Sequence, residues 1–568
     1  MDLLEAIEKY ALDNAVKYNG KANPGAVIGH LISEHPEIKS DMKNVSKKVI
    51  DKIKEINKLG LEKQRKLLEE KYPEMLEKKE KEVNDSLKEL EGVDAKKGVI
   101  MRFAPSPSGP MHIGHAITGG LTSLYVEKYG GKFILRIEDT NSDNIYVPAY
   151  EQLPRDGEWI FGNVTDVWIQ SDRLKYYYDY VEKFLDKNAV YVCTCSQDEF
   201  KEYVAKMQDC PCRNLGKDEQ KKRWKKMFDK EHGFKEGEAV VRLKSNMQDK
   251  NPAMRDFPLA RINDSEHPRQ GLKYRVWPLM NLSVFVDDVE AGMTHIIRAK
   301  DHADNAKRQE MMYSALAIAK VPRTYFVGRY NFDGLELSCS KTKERINACE
   351  FSGWDDIRLP FLVALKRRGY MPQAFRKYTR LVGISPVDKT VSAEEFFKAI
   401  NSYNKEIIDP IAHRYFLIRK PHKIIIKDAP AMSIELDLHP ENKKGGRHLA
   451  TKDSFFIEEN DYKALTKTGL YRLMDCLNFK MLKNSFKFVS KDYETFKKKG
   501  KKIIHWLPAE ENLVKVSVLM PDNKEMECLG EPALRELKVG DIIQAERFGF
   551  MRLDKKEKDK LFFWFTHQ

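Results

Sequence analysis

The spacing of hydrophobic and polar positions changes several times along the chain, and each change predicts a different kind of element. Val49, Ile53 and Ile56 recur at helical spacing inside a very polar N-terminal region, which is typical of an amphipathic helix. The charge-rich stretch at 61–90 is interpreted as a solvated surface. Residues 1–97 are therefore predicted to form a helical appendage.

The pattern becomes more apolar at Gly98. The run GVIMRFA, followed by Pro and Gly residues, predicts a buried strand. Residues 115–129 then predict a helix, and KFILRIED predicts a second strand. A strand, Gly-rich turn, helix and strand in this order form a right-handed βαβ unit, which implies a parallel sheet. A further strand is predicted at 283–289, SVFVDDV, and 176–265 is interpreted as an insertion between two halves of the sheet.

The rest of the chain divides into a helical and a β-rich part. Residues 346–417 are predicted to be helical, and short alternating segments such as HKIIIKD and LVKVSVLMP follow Pro421. Regularly spaced short strands of this kind indicate β-barrels. The predicted class is α/β, with regions at 1–97, 98–175, 176–265, 266–345, 346–417 and 418–568.

Charge and composition restrict the possible partners and the possible cellular compartment. The 568 residues carry a formal net charge of +13, which favours a polyanionic partner, with general solubility as the alternative. No apolar run approaches the roughly 20 residues of a membrane helix, and the N-terminus does not resemble a signal peptide. Eight cysteines in so long a chain do not suggest a disulfide scaffold. A reducing cytoplasm and no membrane partner are expected.

Four of the cysteines form a cluster in the sequence. Cys193, Cys195, Cys210 and Cys212 give two C-x-C pairs separated by 14 residues. Four thiolates in two close pairs can hold Zn²⁺ in a tetrahedral site. Zinc is the favoured interpretation, while free buried thiols and a disulfide remain alternatives.

The segment RFAPSPSGPMHIGH joins the predicted strand to the predicted helix. A helix N-terminus offers unpaired N–H groups to a phosphate chain, and His112 and His115 can add donors as charge develops there. Gly114 allows a nucleotide to approach the backbone. Together with Pro107 and Gly109, these residues are predicted to bind ATP, and the two histidines are predicted to be catalytic.

This segment resembles the HIGH signature of class I aminoacyl-tRNA synthetases, and PSPSG resembles the glutamyl branch. Further segments resemble the family in the same order: LRIEDTN, MRDFPLARI, VDDVEAGMTHIIRAKDH, IIHWLPA and QAERFGFMRLD. The resemblance covers nearly the whole chain and is to the archaeal and eukaryotic form. It implies a Rossmann-type catalytic sheet, an insertion that binds the tRNA acceptor end, stem-contacting helices and anticodon-binding β-barrels.

The resemblance also assigns a glutamate pocket. Arg102 is expected to pair with a substrate carboxylate, and Glu138 is expected to accept from the α-ammonium group. Ala104 and Ser106 should line the same pocket. Arg298 occupies a position where glutaminyl enzymes commonly lack a cation, so it would favour an anionic side chain over an amide.

The segment LELSCSKTKERI resembles a second class signature, KMSKS, in altered form. Cys339 stands where the family has a catalytic lysine. Ser340 and Lys341 are expected to bind ATP, and Lys341 is chosen as the catalytic lysine because pyrophosphate departure needs a positive charge. Lys343 is the alternative.

The resemblance implies that glutamate is activated by ATP, with Mg²⁺, and then transferred to tRNA(Glu). Enzymes of this type are expected to accept tRNA(Gln) as well, and a monomer is expected. Two other functions remain open: a small-molecule adenylyltransferase, and a non-catalytic tRNA-binding scaffold. A glutaminyl enzyme is disfavoured by Ser106 and Arg298.

Overall fold

The computed structural model describes residues 3–17, 20–34, 38, 41–75, 87–483, 485–510 and 512–568. Part of the charge-rich stretch predicted at 61–90 thus lies outside the described residues. The chain divides into two compact units, residues 1–85 and residues 86–568.

The first unit is built from helices whose apolar sides face one another. Val49, Ile53 and Ile56 are buried in its core, as their helical spacing requires. Buried Gln64 donates from its amide to the carbonyls of Gly20 and Ile56. The helices are α1 (Leu3–Lys17), α2 (Pro24–Glu34), α3 (Met42–Asn57) and α4 (Leu61–Lys71).

The second unit begins with the region predicted to be catalytic, in which helices alternate with strands. Its elements are β1 (Val99–Phe103), α5 (Ile113–Tyr129), β2 (Gly131–Ile137), α6 (Ala149–Phe161), β3 (Asp166–Ile169), α7 (Leu174–Asp186), β4 (Val190–Cys193), α8 (Gln197–Lys206), α9 (Lys217–Lys226), β5 (Val240–Leu243), β6 (Pro258–Ile262), β7 (Val276–Pro278), α10 (Met280–Glu290), β8 (His295–Ala299), α11 (Ala303–Ala315), β9 (Arg323–Val327), β10 (Tyr330–Asp333) and α12 (Cys339–Asn347).

Helices and then mostly strands complete this unit. These elements are α13 (Leu362–Arg368), α14 (Pro372–Val382), β11 (Lys389–Ser392), α15 (Ala393–Ile408), β12 (His413–Tyr415), β13 (Leu417–Arg419), β14 (Pro421–Lys427), β15 (Met432–His439), β16 (Asn442–Thr451), β17 (Ser454–Glu458), α16 (Glu459–Lys463), β18 (Leu470–Leu473), β19 (Asn478–Met481), β20 (Phe486–Ser490), α17 (Tyr493–Lys499), β21 (Gly500–Ile504), β22 (Leu507–Pro508), β23 (Val514–Leu519), β24 (Glu525–Gly530), β25 (Ile542–Ala545), β26 (Gly549–Lys556) and β27 (Lys560–His567).

The catalytic sheet is parallel, as the βαβ pattern predicted. Strand β1 pairs with β2, β2 with β3, and β8 with β9, all in parallel. The Ile100 N–H donates to the Thr294 hydroxyl at 2.9 Å and the Thr294 N–H donates to the Ile100 carbonyl at 3.0 Å, so β8 lies beside β1. The carboxyl ends of β1, β2 and β8 therefore meet at one edge, where α/β sheets bind ligands.

The strand predicted at 283–289 is wrong, because this segment belongs to helix α10. Leu282 to Asp288 are all buried, so the helix shows no polar face. A short apolar run that is buried all round has no period that distinguishes a helix from a strand. The strand that continues the sheet is β8, directly after this helix.

The insertion combines helices with a small sheet, and the C-terminal part is mostly β-structure. Strands β4 to β7 form an antiparallel sheet that packs against α7 and α10. The C-terminal part has two barrel-like seven-stranded sheets, ordered β12-β25-β26-β27-β23-β24-β13 and β21-β18-β19-β20-β14-β17-β22, together with the hairpin β15–β16.

Helix α13 connects the last strand to the loop before α5. The Arg368 guanidinium donates to the carbonyls of Phe565 and Thr566 at the end of β27. At the other end of α13, the Leu362 N–H donates to the Met111 carbonyl at 2.8 Å. The catalytic region and the C-terminal sheet are thus supported by the same short helix.

Candidate active site

The two signature histidines form a stacked pair at the start of α5. His112 is the N-cap residue and accepts from the Gly114 N–H at 3.1 Å through Nδ1. The rings of His112 and His115 lie 3.8 Å apart between centroids, at 20°. Burial lowers the pKa of His115 to about 4, and burial and the neighbouring ring lower the pKa of His112. Both are therefore neutral at pH 7 and retain N–H donors for a ligand.

The turn before these histidines packs against the start of α12. The buried Pro107 accepts through its carbonyl from the Tyr146 N–H at 2.8 Å. A Cβ placed on Gly109 would lie 3.0 Å from both Cys339 Sγ and Trp354 Cη2. Gly109 is thus needed for the close approach of the two signature segments.

The altered second signature forms the first turn of α12. The Ser338 hydroxyl caps the helix by accepting from the Lys341 N–H at 3.4 Å. Ser340, Lys341 and Lys343 are exposed, and the Lys341 ammonium lies 3.6 Å from the Glu336 carboxylate. Both lysines therefore stay accessible to a ligand.

A cavity of about 520 Å³ opens beside the histidine pair. One wall is lined by His112, Gly114, His115 and further residues of α5. The other walls come from the ends of β8 and β9, the turn into β10, Leu337, and the segment from the end of α14 to the start of β11. The lining includes Val327, Gly328, Leu337, Gly383, Ser385 and Val387. The apolar walls and the helix N-terminus suit a nucleotide. No periodic pattern in the sequence indicated the contribution of the loop after α14.

Buried charges lie at the carboxyl ends of β1 and β2. Asp288 accepts from Arg136 at 2.6 Å and from Arg102 at 3.2 Å, and Arg136 also donates to Glu138 at 3.0 Å. Although burial alone would raise it, Arg102 and Arg136 hold the pKa of Asp288 below its ordinary value. Asp288 therefore fixes Arg102, and Arg136 fixes Glu138, at the pocket edge.

Arg298 is paired differently from these arginines. It is 7% exposed, and its Nη1 donates to the Gln309 amide oxygen at 2.9 Å. The Arg298 Nε and the Gln309 Nε2 are buried without a hydrogen-bond partner among the described residues. Burial, followed by the charge of Arg102, lowers the pKa of Arg298 to about 10. Arg298 is therefore a buried cation at pH 7.

The remaining residues of the predicted glutamate pocket border the same edge. Ala104 is partly buried and Ser106 is exposed, on the loop that leaves β1. The Glu138 N–H donates to the Pro105 carbonyl at 3.1 Å, which joins this loop to the end of β2. The structure thus gathers the predicted residues of β1, β2 and β8 at one edge of the sheet.

The residues that hold this pocket together were not predicted from the sequence. Asp288 lies inside the segment that was interpreted as a strand, and Arg136 lies among apolar residues of β2. Gln309 is on α11, the helix after β8. The only available signal was the pair of adjacent acidic residues in SVFVDDV, since charges inside an apolar run are rarely left without partners.

The cysteine cluster lies in the insertion, at the end of β4. The Sγ atoms of Cys193, Cys195, Cys210 and Cys212 all lie within 4.8 Å of one another. The distances are 3.8 Å for Cys193 to Cys210 and 3.9 Å for Cys195 to Cys212. Zn–S bonds of about 2.3 Å in a tetrahedron require sulfur atoms about 3.8 Å apart. The four sulfurs therefore fit a zinc ion.

None of the described helices is long and apolar enough to cross a membrane.

Comparison with protein families gives three matches along the chain. Residues 98–409 match the model described as tRNA synthetases class I (E and Q), catalytic domain. Residues 412–494 and 503–554 match two models described as the anti-codon binding domain of the same synthetases.

Two relatives match this chain over nearly its whole length and theirs. A glutamate–tRNA ligase of Methanobrevibacter smithii is 40% identical over 100% of both chains, and one of Methanocaldococcus jannaschii is 40% identical over 99% of this chain and 100% of its own. A crystal structure of a glutamate tRNA ligase from Elizabethkingia meningosepticum, in complex with its amino acid, covers 56% of this chain and 70% of that one, at 19% identity and a TM-score of 0.40. On the family matches and the full-length relatives, this chain belongs to the class I tRNA synthetases of the glutamate and glutamine (E and Q) group.

Proposed function

We propose that this chain joins glutamate to tRNA through a glutamyl-adenylate. The observation that carries the proposal is Arg298, a buried cation that has no carboxylate partner among the described residues. A buried charge without a counterion is costly, so an anionic ligand would stabilise the site. The γ-carboxylate of glutamate supplies that charge, whereas the amide of glutamine does not. The full-length relatives are glutamate–tRNA ligases, which supports the same substrate.

The first step is an in-line displacement at the α-phosphorus of ATP. A carboxylate oxygen of glutamate forms a bond to this phosphorus, and the bond to the bridging oxygen breaks to release pyrophosphate. In this proposal Arg102 and Glu138 orient the substrate, with Ala104 and Ser106 beside it. Such a step depends mainly on positioning and charge stabilisation.

ATP binding is assigned to the cavity beside the histidine pair. His112 and His115 would donate to the phosphates, with Pro107, Gly109 and Gly114 allowing the close approach of the backbone. Mg²⁺ accompanies ATP and would neutralise phosphate charge, held mainly by phosphate oxygens and water.

Stabilisation of the negative charge on the departing pyrophosphate is assigned to the N-terminus of α12. Lys341 is exposed and stands at the helix N-terminus with Ser340, so its ammonium and the helix dipole would act on the same anion. The nearby Glu336 carboxylate would have to release the ammonium when ATP binds.

The second step transfers the glutamyl group to tRNA(Glu). The 2′-hydroxyl of the terminal adenosine attacks the carbonyl carbon, the bond to the phosphate oxygen breaks, and AMP leaves. No protein nucleophile is needed. The insertion at 176–265 would hold the acceptor end, the region at 346–417 the inner stem, and the C-terminal sheets the anticodon. The net charge of +13 supports a polyanionic partner.

Three further assignments follow from the resemblance to the archaeal form. The enzyme would also charge tRNA(Gln) with glutamate, because relaxed readout needs only the absence of a discriminating contact. It would act as a monomer, and it would work in the cytoplasm.

Zinc is proposed for the cysteine cluster in a structural role. The Cys212 sulfur accepts from the Thr194 N–H at 3.4 Å and from the Arg223 guanidinium at 3.3 Å. Such contacts around a ligand sulfur are typical of metal sites and stabilise the thiolate form. The zinc would hold the end of β4 against the turn that carries Cys210 and Cys212.

The test is aminoacylation of purified tRNA isoacceptors with glutamate and with glutamine, together with ATP–pyrophosphate exchange. Glutamate alone should be attached, to tRNA(Glu) and tRNA(Gln) at rates within about tenfold, or about 1.4 kcal/mol. A preference for tRNA(Glu) above about a thousandfold would refute relaxed tRNA choice. Exchange without aminoacylation would favour an adenylyltransferase, and the absence of both would favour a scaffold.

A further inference from the structure

The buried arginines beneath the pocket differ in the charge of their partners. Arg102 and Arg136 share the Asp288 carboxylate, and Arg173 donates to Asp287 at 2.7 Å. Arg298 is as deeply buried as Arg102, yet its hydrogen-bond partner is the neutral amide of Gln309 at 2.9 Å. An acid at this one position would complete the pattern of internal ion pairs.

The orientation of the Gln309 amide follows from its partner. Arginine only donates hydrogen bonds, so the atom that faces Nη1 must be the amide oxygen. The amide nitrogen then points elsewhere, and it is buried without an acceptor among the described residues. Gln309 is 5% exposed, so bulk water does not reach it freely. Two buried donors, one on Arg298 and one on Gln309, thus remain unsatisfied within the described chain.

We propose that Gln309 is a specificity-determining positioning residue, whose neutral amide holds Arg298 in place without neutralising it, so that the charge is kept for the side-chain carboxylate of the substrate. This inference rests on the proposed glutamate activity and adds to it a reason for the choice of residue on α11. A single oxygen acceptor fixes the plane of the guanidinium but supplies no negative charge.

This arrangement destabilises the enzyme when no substrate is bound. Burial and the charge of Arg102 lower the pKa of Arg298 to about 10, and the charges of Asp288 and Glu138, neither of which is paired with it, offset this only in part. The charged form is therefore destabilised but still present at pH 7. A carboxylate at position 309 would relieve this strain inside the protein. It would also pair with Arg298, so that no free cation would remain for the γ-carboxylate of glutamate. Stability and glutamate recognition therefore make opposite demands on this position.

The test is the substitution Gln309→Glu, which keeps the length of the side chain and adds a carboxylate 2.9 Å from Arg298 Nη1. Initial rates of ATP–pyrophosphate exchange are measured with glutamate and with glutamine as alternative substrates. The ratio of kcat/KM for glutamate over glutamine should fall at least about 100-fold, mainly through the KM for glutamate. The KM for ATP should change less than about threefold, and the thermal midpoint should stay the same or rise.

The control is Gln309→Met, which has a similar length and no charge. It removes the acceptor but leaves the charge of Arg298 available, so the ratio should fall by no more than about tenfold. A fall as large as that of Gln309→Glu would overturn the argument from charge. Gln309→Glu with an unchanged ratio would overturn the proposal as a whole.

The proposed glutamate activity and the proposed role of Gln309 can be tested separately. If the unmodified protein shows neither glutamate-dependent exchange nor aminoacylation of tRNA with glutamate, the proposed activity is wrong. If it shows this activity, but Gln309→Glu has the same preference for glutamate over glutamine as the unmodified protein, the activity stands and the role proposed for Gln309 is wrong. A ratio of two substrates measured on one protein sample is not changed by partial unfolding, so loss of folded protein cannot imitate the expected result.

Discussion

The substitution Asp288→Asn should destabilise the protein because it removes the shared counterion of two buried arginines. Asp288 is 2% exposed, and Arg102 and Arg136 donate to it. The asparagine has the same shape, but its NH₂ group would face an N–H donor and its charge is lost. Breaking a buried ion pair by removing one partner costs about 3–5 kcal/mol. Because folded domains are stable by only about 5–15 kcal/mol, this loss should be large.

The assay is denaturant unfolding followed by intrinsic fluorescence, with the midpoint shift converted through the slope m. Asp179→Asn is the matched control, since it removes the exposed ion pair with Lys175 on α7 and should cost less than about 1 kcal/mol. The double variant Asp288→Asn with Arg102→Met should recover part of the loss, because Arg102 has no other carboxylate partner among the described residues, whereas Arg136 keeps its ion pair with Glu138. Equal midpoints for Asp288→Asn and the control would refute the argument that this carboxylate holds the pocket together.

Three other results are expected. Lys341→Ala should lower the adenylation rate at least about a hundredfold in stopped-flow measurements, since it removes one charge from the transition state, and a larger defect in Lys343→Ala would reassign the role. Purified protein should contain about one zinc per chain by elemental analysis, and Cys193→Ser should release it, while a metal-free active protein would leave ordinary thiols. Folding lowers the pKa of His115 from 6.5 to about 4, so between these pH values the imidazole binds a proton in the unfolded chain but not in the folded one. Stability should therefore fall as the pH drops from 6.5 towards about 4. His115→Gln should make this decline in thermal midpoint shallower, and an unchanged slope would contradict it.

Features that are local in sequence could be predicted, and features that depend on distant contacts could not. The turn from β1 into α5 was predicted because its strand, Pro and Gly residues, and histidines are consecutive. The ion pairs of Asp288 join residues that are 152 and 186 positions apart, and no periodicity records such pairings. Arg298 was identified from the resemblance, but its neutral partner Gln309 has no motif of its own.

The wrong strand at 283–289 has the same origin. Helix α10 lies between the insertion sheet and the catalytic region, so its apolar residues are covered on all sides and its two aspartates are paired internally. Its sequence therefore lacks the polar face that usually identifies a helix. In the structure, β8 occupies the place beside β1 in the catalytic sheet, so residues 283–289 do not supply that strand.

The support that α13 receives from the last strand has a consequence for synthesis on the ribosome. Arg368 and Thr566 are 198 residues apart, so at about 5–20 residues per second the partner of this helix appears about 10–40 seconds later. During that interval every strand of the catalytic sheet has already been made, while α13, which also binds the loop before α5, lacks its contacts with β27. The nascent catalytic half thus carries an open face until β27 has been synthesised. Completion of the fold around α13 therefore waits for β27, and a pause in translation before β27 would leave this face free for self-association.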